Sequence, residues 1–122
     1  MLTRMKITAA ALTAVAGAAL ATAPAQADPA AWPCVEFGFC MYAGAAGEGR
    51  RIEMLEGVSD LGAINGGLLN DNVRSVKNIS GDSWCLYDSP DYENEIAVIL
   101  DGMAEAVDWE KIGSKVTSAE AC

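Results

Sequence analysis

The short segment Cys40-Met41-Tyr42 decides how the rest of the chain is interpreted, because it recurs 45 residues later as Cys85-Leu86-Tyr87. Three further identities fall at the same shift: Glu48 with Glu93, Leu55 with Leu100, and Gly57 with Gly102. The register then slips by two, so that Val73-Arg74-Ser75 falls on Val116-Thr117-Ser118. Internal repetition of this kind indicates a duplicated structural unit.

The two copies, at about residues 34–79 and 80–122, are both β in character. Apolar and aromatic residues two positions apart are typical of half-buried strands. Three strands are predicted in each copy: 37–42, 50–55 and 73–77, then 84–87, 95–100 and 115–118. A shorter strand is expected after each repeated glycine, at 58–61 and 103–107. Four strands per copy, joined by Gly, Asn, Asp and Pro turns, predict an all-β antiparallel sandwich.

The composition excludes several classes of function. The chain has 122 residues and no histidine, so Ser-His-Asp and Cys-His nucleophilic centres and His-liganded zinc sites are absent. Its 17 acidic residues against 8 basic residues argue against a nucleic-acid partner, which would require a basic surface. The length allows one small domain.

Residues 1–27 have the order of a secretory signal peptide. A positively charged start precedes an apolar run of mostly Ala, Val and Leu, and Ala25-Gln26-Ala27 is a small-x-small cleavage site. We therefore expect cleavage after Ala27 and a secreted, extracellular domain at 28–122 with no membrane attachment. That domain has 95 residues, of which 6 are basic and 17 acidic, giving a formal charge of −11. We expect it to be a monomer.

The four cysteines all lie in the predicted mature domain: Cys34, Cys40, Cys85 and Cys122. An even number of cysteines in a small exported chain predicts two disulfides. A metal site or free thiols are disfavoured, because the spacings of 6, 45 and 37 residues contain no CxxC pair. The residues alone leave all three pairings open.

Two β units that each open with a tyrosine and end in an Asn-Asp-x-Val-x-Ser type segment resemble the βγ-crystallin Greek-key pattern. The stretches WPCVEFGFCMYAGAAGEGRR (32–51), LLNDNVRSVKNISGDSWCLYDSPDY (68–92) and IGSKVTSAEAC (112–122) are similar to a secreted actinobacterial peptidase-inhibitor family. That family is typified by the streptomycete metalloproteinase inhibitor. The resemblance implies two four-stranded Greek-key motifs packed as a sandwich, and a non-enzymatic domain that blocks an extracellular protease.

The resemblance also favours one disulfide pattern. The family's C-terminal cysteine implies a bridge from Cys122 to Cys85, at the start of the second copy. Cys34 and Cys40 would then close the N-terminal turn. A bridge between the repeat-equivalent Cys40 and Cys85 stays open as the alternative.

The hairpin motif of the family can be followed in both copies. An aromatic residue starts a folded hairpin, and a residue seven positions later adopts a left-handed conformation. Here these pairs are Tyr42 with Gly49 and Tyr87 with Asn94, and Gly and Asn are the residues that best tolerate a positive φ. The expected aromatic two positions before the turn is Tyr92 in the second copy. Its counterpart in the first copy is a glycine at position 47, which predicts a looser first hairpin.

Calcium is the cofactor to consider, because many βγ-crystallin domains bind it through paired Asn/Asp-Asn/Asp-x-x-Ser/Thr-Ser segments with oxygen ligands. The first copy keeps Asp71 but has Arg74 where a hydroxyl ligand belongs. The second copy keeps Thr117 and Ser118 but lacks the acidic pair. Asp71 and Thr117 thus form a degenerate calcium half-site. We expect it to be unused, with Asn70 and Asp71 capping a turn, and expect no cofactor.

Three loops are candidates for presentation to a protease: 43–48, 63–70 and 88–94. Within the second, Ile64, Asn65 and Leu68 are the candidate inhibitory residues, since apolar side chains there alternate with glycine. The alternative is that Ile64, Leu68 and Leu69 pack into the core, as large apolar residues usually do. The sequence fixes no inhibitory bond.

The leading hypothesis is a secreted peptidase inhibitor, directed against a metalloprotease and acting through a rigid loop. Four carboxylates could in principle supply acid and base for glycoside cleavage, but on a turn of a small sandwich we expect them to be solvated: Asp88, Asp91, Glu93 and Glu95. The second hypothesis is a calcium-binding or structural extracellular module. The third is a surface-interaction domain or lectin.

Overall fold

The structure is a computed structural model and describes residues 28–122, so the predicted signal peptide lies outside the described residues. Within them, seven strands form: β1 Phe39–Tyr42, β2 Arg51–Met54, β3 Ser75–Asn78, β4 Trp84–Ser89, β5 Glu93–Ile99, β6 Ala104–Ala106 and β7 Ser118–Ala121. Short helical segments connect them: 3-10 turns Pro29–Ala31, Leu61–Ala63, Asn65–Gly67 and Pro90–Tyr92, and a π-helical turn Trp109–Gly113. None of these segments is long and apolar enough to cross a membrane.

The strands form two antiparallel sheets, with the orders β2-β1-β3-β6 and β5-β4-β7. Strand β6 belongs to the second copy but pairs with β3 of the first. Its counterpart in the first copy, Val58, reaches across to the other sheet and pairs with Ala119 of β7. The two copies therefore exchange one segment each. The predicted all-β sandwich of two Greek-key motifs is confirmed.

The exchanged segment of the first copy, predicted as a strand at residues 58–61, is reduced to that single bridge. Asp60 interrupts the extended chain because its Oδ1 atom accepts a hydrogen bond from the Gly62 N–H at 2.9 Å. This contact caps the 3-10 turn that follows. Leu61 then buries completely, which fixes the loop against the core.

Strand β1 begins at Phe39, two residues later than predicted. The Gly38 N–H donates to the Val35 carbonyl at 3.0 Å and closes a turn through Phe37, whose φ is 63°. The two phenylalanines therefore separate. Phe39 is completely buried, whereas Phe37 is 69% exposed.

The core lies between the two sheets and is organised around the repeat. Phe39 and Trp84 are equivalent in the two copies, and their rings stack with centroids 4.7 Å apart and planes 7° apart. Buried apolar side chains from both sheets and their connections surround this pair: Met41, Ile52, Met54, Leu61, Leu69, Val73, Val76, Leu86, Ile99, Val116 and Ala119. The duplicated sequence thus contributes one aromatic residue from each copy to a shared core.

The disulfides join Cys34 to Cys40 and Cys85 to Cys122. This is the pattern that the family resemblance favours, and the Cys40–Cys85 alternative is wrong. Cys40 and Cys85 both lie in strands, β1 and β4, which belong to different sheets. Each of them instead bonds to a cysteine that lies outside the strands, so the bridges fasten both chain ends of the domain to its sheets.

Candidate functional site

Two equivalent serines hold the folded hairpins. Ser75 Oγ donates to the Gly44 carbonyl at 2.6 Å and accepts from the Gly47 N–H at 3.0 Å. In the second copy, Ser118 Oγ donates to the Ser89 carbonyl at 2.6 Å and accepts from a backbone N–H at 3.1 Å. Both serines are completely buried. The last residue of this repeated segment, a serine in both copies, therefore clamps the hairpin turn of its own copy.

The left-handed positions that the hairpin motif predicts are confirmed, with φ of 77° at Gly49 and 60° at Asn94. In the second hairpin, Tyr92 packs edge-on against Tyr87 with centroids 5.8 Å apart. Burial raises the pKa of both tyrosines, and the nearby Glu120 carboxylate raises them further.

The prediction that Gly47 loosens the first hairpin is wrong, because Trp32 supplies the missing aromatic ring. A side chain at residue 47 would overlap the Trp32 ring. Trp32 packs edge-on against Tyr42 with centroids 5.7 Å apart, as Tyr92 does against its tyrosine in the second copy. Sequence comparison of the copies missed Trp32 because it precedes the repeat.

Tyr42 also ties the N-terminal segment to the first sheet. Its hydroxyl donates to the Pro33 carbonyl at 2.7 Å. Burial raises the pKa of Tyr42 to about 12, an effect that Arg51 opposes and Glu53 reinforces. The tyrosine is therefore held as a neutral hydrogen-bond donor beside the Cys34–Cys40 bridge.

The structure brings the predicted calcium half-site together. Thr117 Oγ1 lies 3.4 Å from Asp71 Oδ1, 3.2 Å from the Asp88 carbonyl and 3.2 Å from the Lys115 carbonyl. Next to Asp71, Asn70 keeps its Oδ1 atom buried without a hydrogen-bond partner among the described residues. Calcium takes six to eight oxygen ligands, and the described residues hold no group of three acidic, His or Cys side chains suited to a metal. These residues fit calcium only in part.

In the first copy, the residue equivalent to Thr117 is Arg74. The Arg74 N–H donates to the Tyr42 carbonyl, as the Thr117 N–H does to the Tyr87 carbonyl, both at 2.8 Å. The Arg74 guanidinium lies 4.0 Å from the centre of the Trp109 ring, in a cation–π contact. The first copy therefore offers no hydroxyl ligand at the position equivalent to Thr117.

The candidate loop around Ile64 is anchored at both ends by buried leucines, Leu61 and Leu69. Ile64 is half-buried and packs on the core, and Leu68 is 38% exposed. The exposed Asn65 has a φ of 48°. A shallow groove of about 490 Å³ separates Ile64 and Asn65 from residues 52–58.

The four candidate carboxylates do not converge on a cleft. They lie along the second hairpin at exposed positions: Asp88, Asp91, Glu93 and Glu95. General acid catalysis requires a carboxyl group whose pKa is raised by burial or a close partner. The arrangement is that of a solvated hairpin.

The largest exposed apolar side chain lies at none of the predicted loops. Phe37 projects from the turn inside the Cys34–Cys40 bridge and is 69% exposed. Three other exposed apolar residues follow strand ends: Leu55, Ile79 and Leu100. One sequence feature could have indicated this exposure, namely a phenylalanine inside a seven-residue disulfide ring. Its alternation with Phe39 instead led to the prediction of a strand.

These observations define a two-motif Greek-key domain of the βγ-crystallin class. A βγ-crystallin from Ciona intestinalis is similar, with a TM-score of 0.58 and 19% identity over 70% of this chain and 99% of its own. A transition-metal-ion-binding βγ-crystallin from Methanosaeta thermophila has a TM-score of 0.57 and 20% identity over 67% and 96%. A βγ-crystallin domain from Clostridium beijerinckii has a TM-score of 0.56 and 19% identity, over 68% of this chain and 94% of its own. At these identities the likeness concerns the fold.

The sequence pattern of peptidase inhibitor family I36 matches residues 27–99, from the start of the described domain to the end of β5. The chain belongs to peptidase inhibitor family I36. It is a peptidase inhibitor and not an enzyme. No curated protein sequence matches the chain.

Proposed function

We propose that the protein is exported and inhibits an extracellular metalloprotease by lodging a rigid loop in the protease cleft. Export is supported by the leader at residues 1–27 and by two disulfides, which persist in oxidising compartments. The metalloprotease target is supported by the resemblance to the family of the streptomycete metalloproteinase inhibitor.

The single observation that supports loop blockade is the set of buried hydrogen bonds and disulfides that hold the connections. Each folded hairpin is held by a buried serine that makes two hydrogen bonds. Each disulfide fastens a chain end to a sheet. Loops that are already ordered lose little conformational entropy on binding, so more of the contact energy remains as affinity.

The test is an inhibition panel with the purified domain 28–122. Thermolysin-like, subtilisin-like and trypsin-like proteases are assayed with fluorogenic peptides over a concentration range of the domain. The proposal predicts inhibition of the metalloprotease with a Ki below about 1 μM and no inhibition of the two serine proteases at ten times that concentration. Inhibition of a serine protease alone would refute the metalloprotease target, and inhibition of none would refute the function.

A second candidate, a calcium-binding module, is favoured by the contact between Asp71 and Thr117. Because the oxygen set is partial, the expected affinity is low. The test compares thermal unfolding in calcium and in chelator for the wild type and for Asp71→Asn. A rise of several degrees in wild type that disappears in the variant would support calcium binding, and equal midpoints would remove it.

A further inference from the structure

We propose that Phe37, at the tip of the disulfide-closed loop Cys34–Cys40, is the anchor residue that enters an apolar pocket of the target peptidase. We call residues 34–40 the Phe37 loop. The proposal rests on the proposed function and assigns its contact surface. It replaces the loop around Ile64 as the segment that meets the peptidase.

The Phe37 loop is fixed at three places. The disulfide closes its ends. The Val35 carbonyl accepts from the Gly38 N–H at 3.0 Å, and the Gly38 carbonyl accepts from the Ile79 N–H at 3.0 Å, which ties the loop to the end of β3. The close approach also explains the glycine, since a Cβ at residue 38 would overlap the Val35 side chain. Phe37 is therefore held in one backbone arrangement.

The conformation of Phe37 is costly for a phenylalanine. Its φ of 63° is left-handed, a region that costs an L-residue energy and that turns usually fill with Gly or Asn. Its side chain gains no compensating burial, because 69% of its surface is exposed. Strained backbone at an exposed aromatic residue is the pattern expected where a side chain is held for binding.

Two further exposed apolar residues flank the Phe37 loop in the first sheet. In the first sheet Phe39 pairs with Met54 and with Asn78, so the residues that follow these partners flank the Phe37 loop. They are Leu55 and Ile79, which are 66% and 37% exposed.

Leu100 belongs to the same end of the molecule. It directly follows β5, whose last carbonyl, that of Ile99, accepts from the Asn78 side chain at 2.9 Å. Leu100 is 57% exposed. Four of the six large exposed apolar residues of the described domain are therefore Phe37 and the residues that directly follow β2, β3 and β5; the other two are Leu68 and Val98. Several large apolar side chains exposed at one end of a small acidic domain point to an interaction site.

The charged residues around the Phe37 loop indicate which charge the partner's surface should carry. Glu36 directly precedes Phe37, and Glu56 directly follows Leu55; both are exposed. The one basic residue of β3, Lys77, is buried, and its ammonium group donates to the Pro29 and Trp32 carbonyls at 2.8 and 3.1 Å. The anchor is thus apolar with an acidic border. It fits a peptidase cleft with an apolar pocket and a positively charged rim.

The test measures Ki for Phe37→Ala against the peptidase that the wild type inhibits. An anchor residue that fills a pocket contributes enough that its truncation raises Ki on the order of 30-fold. Val98→Ala is the matched control, because Val98 is also an exposed apolar residue but lies in β5, in the sheet that does not contain β1 or β3; its Ki should stay within about twofold of wild type. Phe37→Leu, which keeps an apolar side chain, should recover most of the lost affinity.

The outcomes separate this assignment from the proposed function. If wild type inhibits and Phe37→Ala inhibits equally well, the anchor assignment is wrong and the inhibitory function stands. A large loss in Leu68→Ala without a loss in Phe37→Ala would return the contact to the loop around Ile64. If wild type inhibits no peptidase, both proposals fail. Thermal unfolding of each variant confirms that a change in Ki does not reflect loss of the fold, since Phe37 contributes little buried surface.

Discussion

The serine clamps give the sharpest prediction about stability. Replacing Ser118 by alanine removes a hydrogen bond to the Ser89 carbonyl at 2.6 Å and one from the Tyr92 N–H at 3.1 Å. Each hydrogen bond contributes about 0.5–1.5 kcal/mol net, and loss of the hydroxyl leaves both backbone groups without their partner. Ser118→Ala should therefore lower the free energy of unfolding by about 2–3 kcal/mol. Ser75→Ala should do the same, since Ser75 makes the equivalent pair of contacts.

Urea unfolding followed by tryptophan fluorescence measures these changes. The control is Ser59→Ala, because Ser59 is exposed and its hydroxyl makes no hydrogen bond within residues 28–122. This control should change the free energy of unfolding by less than about 0.5 kcal/mol. For a domain of this size, 2–3 kcal/mol corresponds to a fall in Tm of about 10–15 °C. If Ser75→Ala and Ser118→Ala unfold like Ser59→Ala, the clamps do not hold the hairpins, and the two hairpin loops are not rigid.

Three further predictions concern the bridges, the buried tyrosine and the strained loop. Replacing both Cys85 and Cys122 by serine should lower the free energy of unfolding by about 4 kcal/mol, because this bridge closes a loop with a sequence separation of 37 residues. Loss of the Cys34–Cys40 bridge, with a separation of 6, should lower it by about 2 kcal/mol in the same chemical unfolding experiment. Equal losses would contradict the explanation by loop entropy. Because the pKa of Tyr42 is raised from 10.0 to about 12 in the folded state, stability should be unaffected by this group below pH 10 and fall as the pH rises from 10 to 12. In urea unfolding at a series of pH values, Tyr42→Phe should flatten the decline of the free energy of unfolding. An unchanged decline would show that Tyr42 is not the group responsible. Phe37→Gly should raise the free energy of unfolding by about 1 kcal/mol, since glycine relieves the left-handed strain at some entropic cost, while weakening inhibition; a fall in stability would show that Phe37 is not strained.

The internal repeat predicted most of the fold, because each strand found in one copy also indicated an equivalent strand in the other. Cys40 and Cys85 mark the strands β1 and β4, and the left-handed positions Gly49 and Asn94 follow each of them in the predicted place. The exchange of strands between the copies is not visible in the repeat. It depends on which sheet offers a free edge, which is a property of the assembled domain.

The features that the sequence did not predict are contacts between the repeat and residues outside its register. Trp32 fills the place of an aromatic missing from the first hairpin, and periodicity carries no information about such a substitution in space. Phe37 alternates with Phe39 as in a strand, yet the short disulfide ring and the close approach at Gly38 bend the chain there. A local covalent constraint thus overrode the strand pattern.

The sequence predicted a degenerate half-site formed by Asp71 and Thr117, and its expected lack of use by calcium stays a prediction. Asp71 and Thr117 come from different copies, 46 residues apart, and lie within contact distance. Arg74 stands where the calcium-binding pattern of βγ-crystallins has a hydroxyl residue, and its guanidinium packs on Trp109. The partner of Arg74 could not be predicted, because Trp109 lies in the connection between β6 and β7, where the register between the two copies slips by two.

Inhibition of a metalloprotease by one rigid loop is tested by titrating a thermolysin-like metalloprotease with domain 28–122, at a protease concentration well above Ki. A rigid one-site inhibitor predicts that residual activity falls linearly and reaches zero at a 1:1 molar ratio, with the domain recovered intact by mass spectrometry. Activity that remains at a several-fold excess of the domain, or a domain that is progressively digested, would show that the domain is not such an inhibitor.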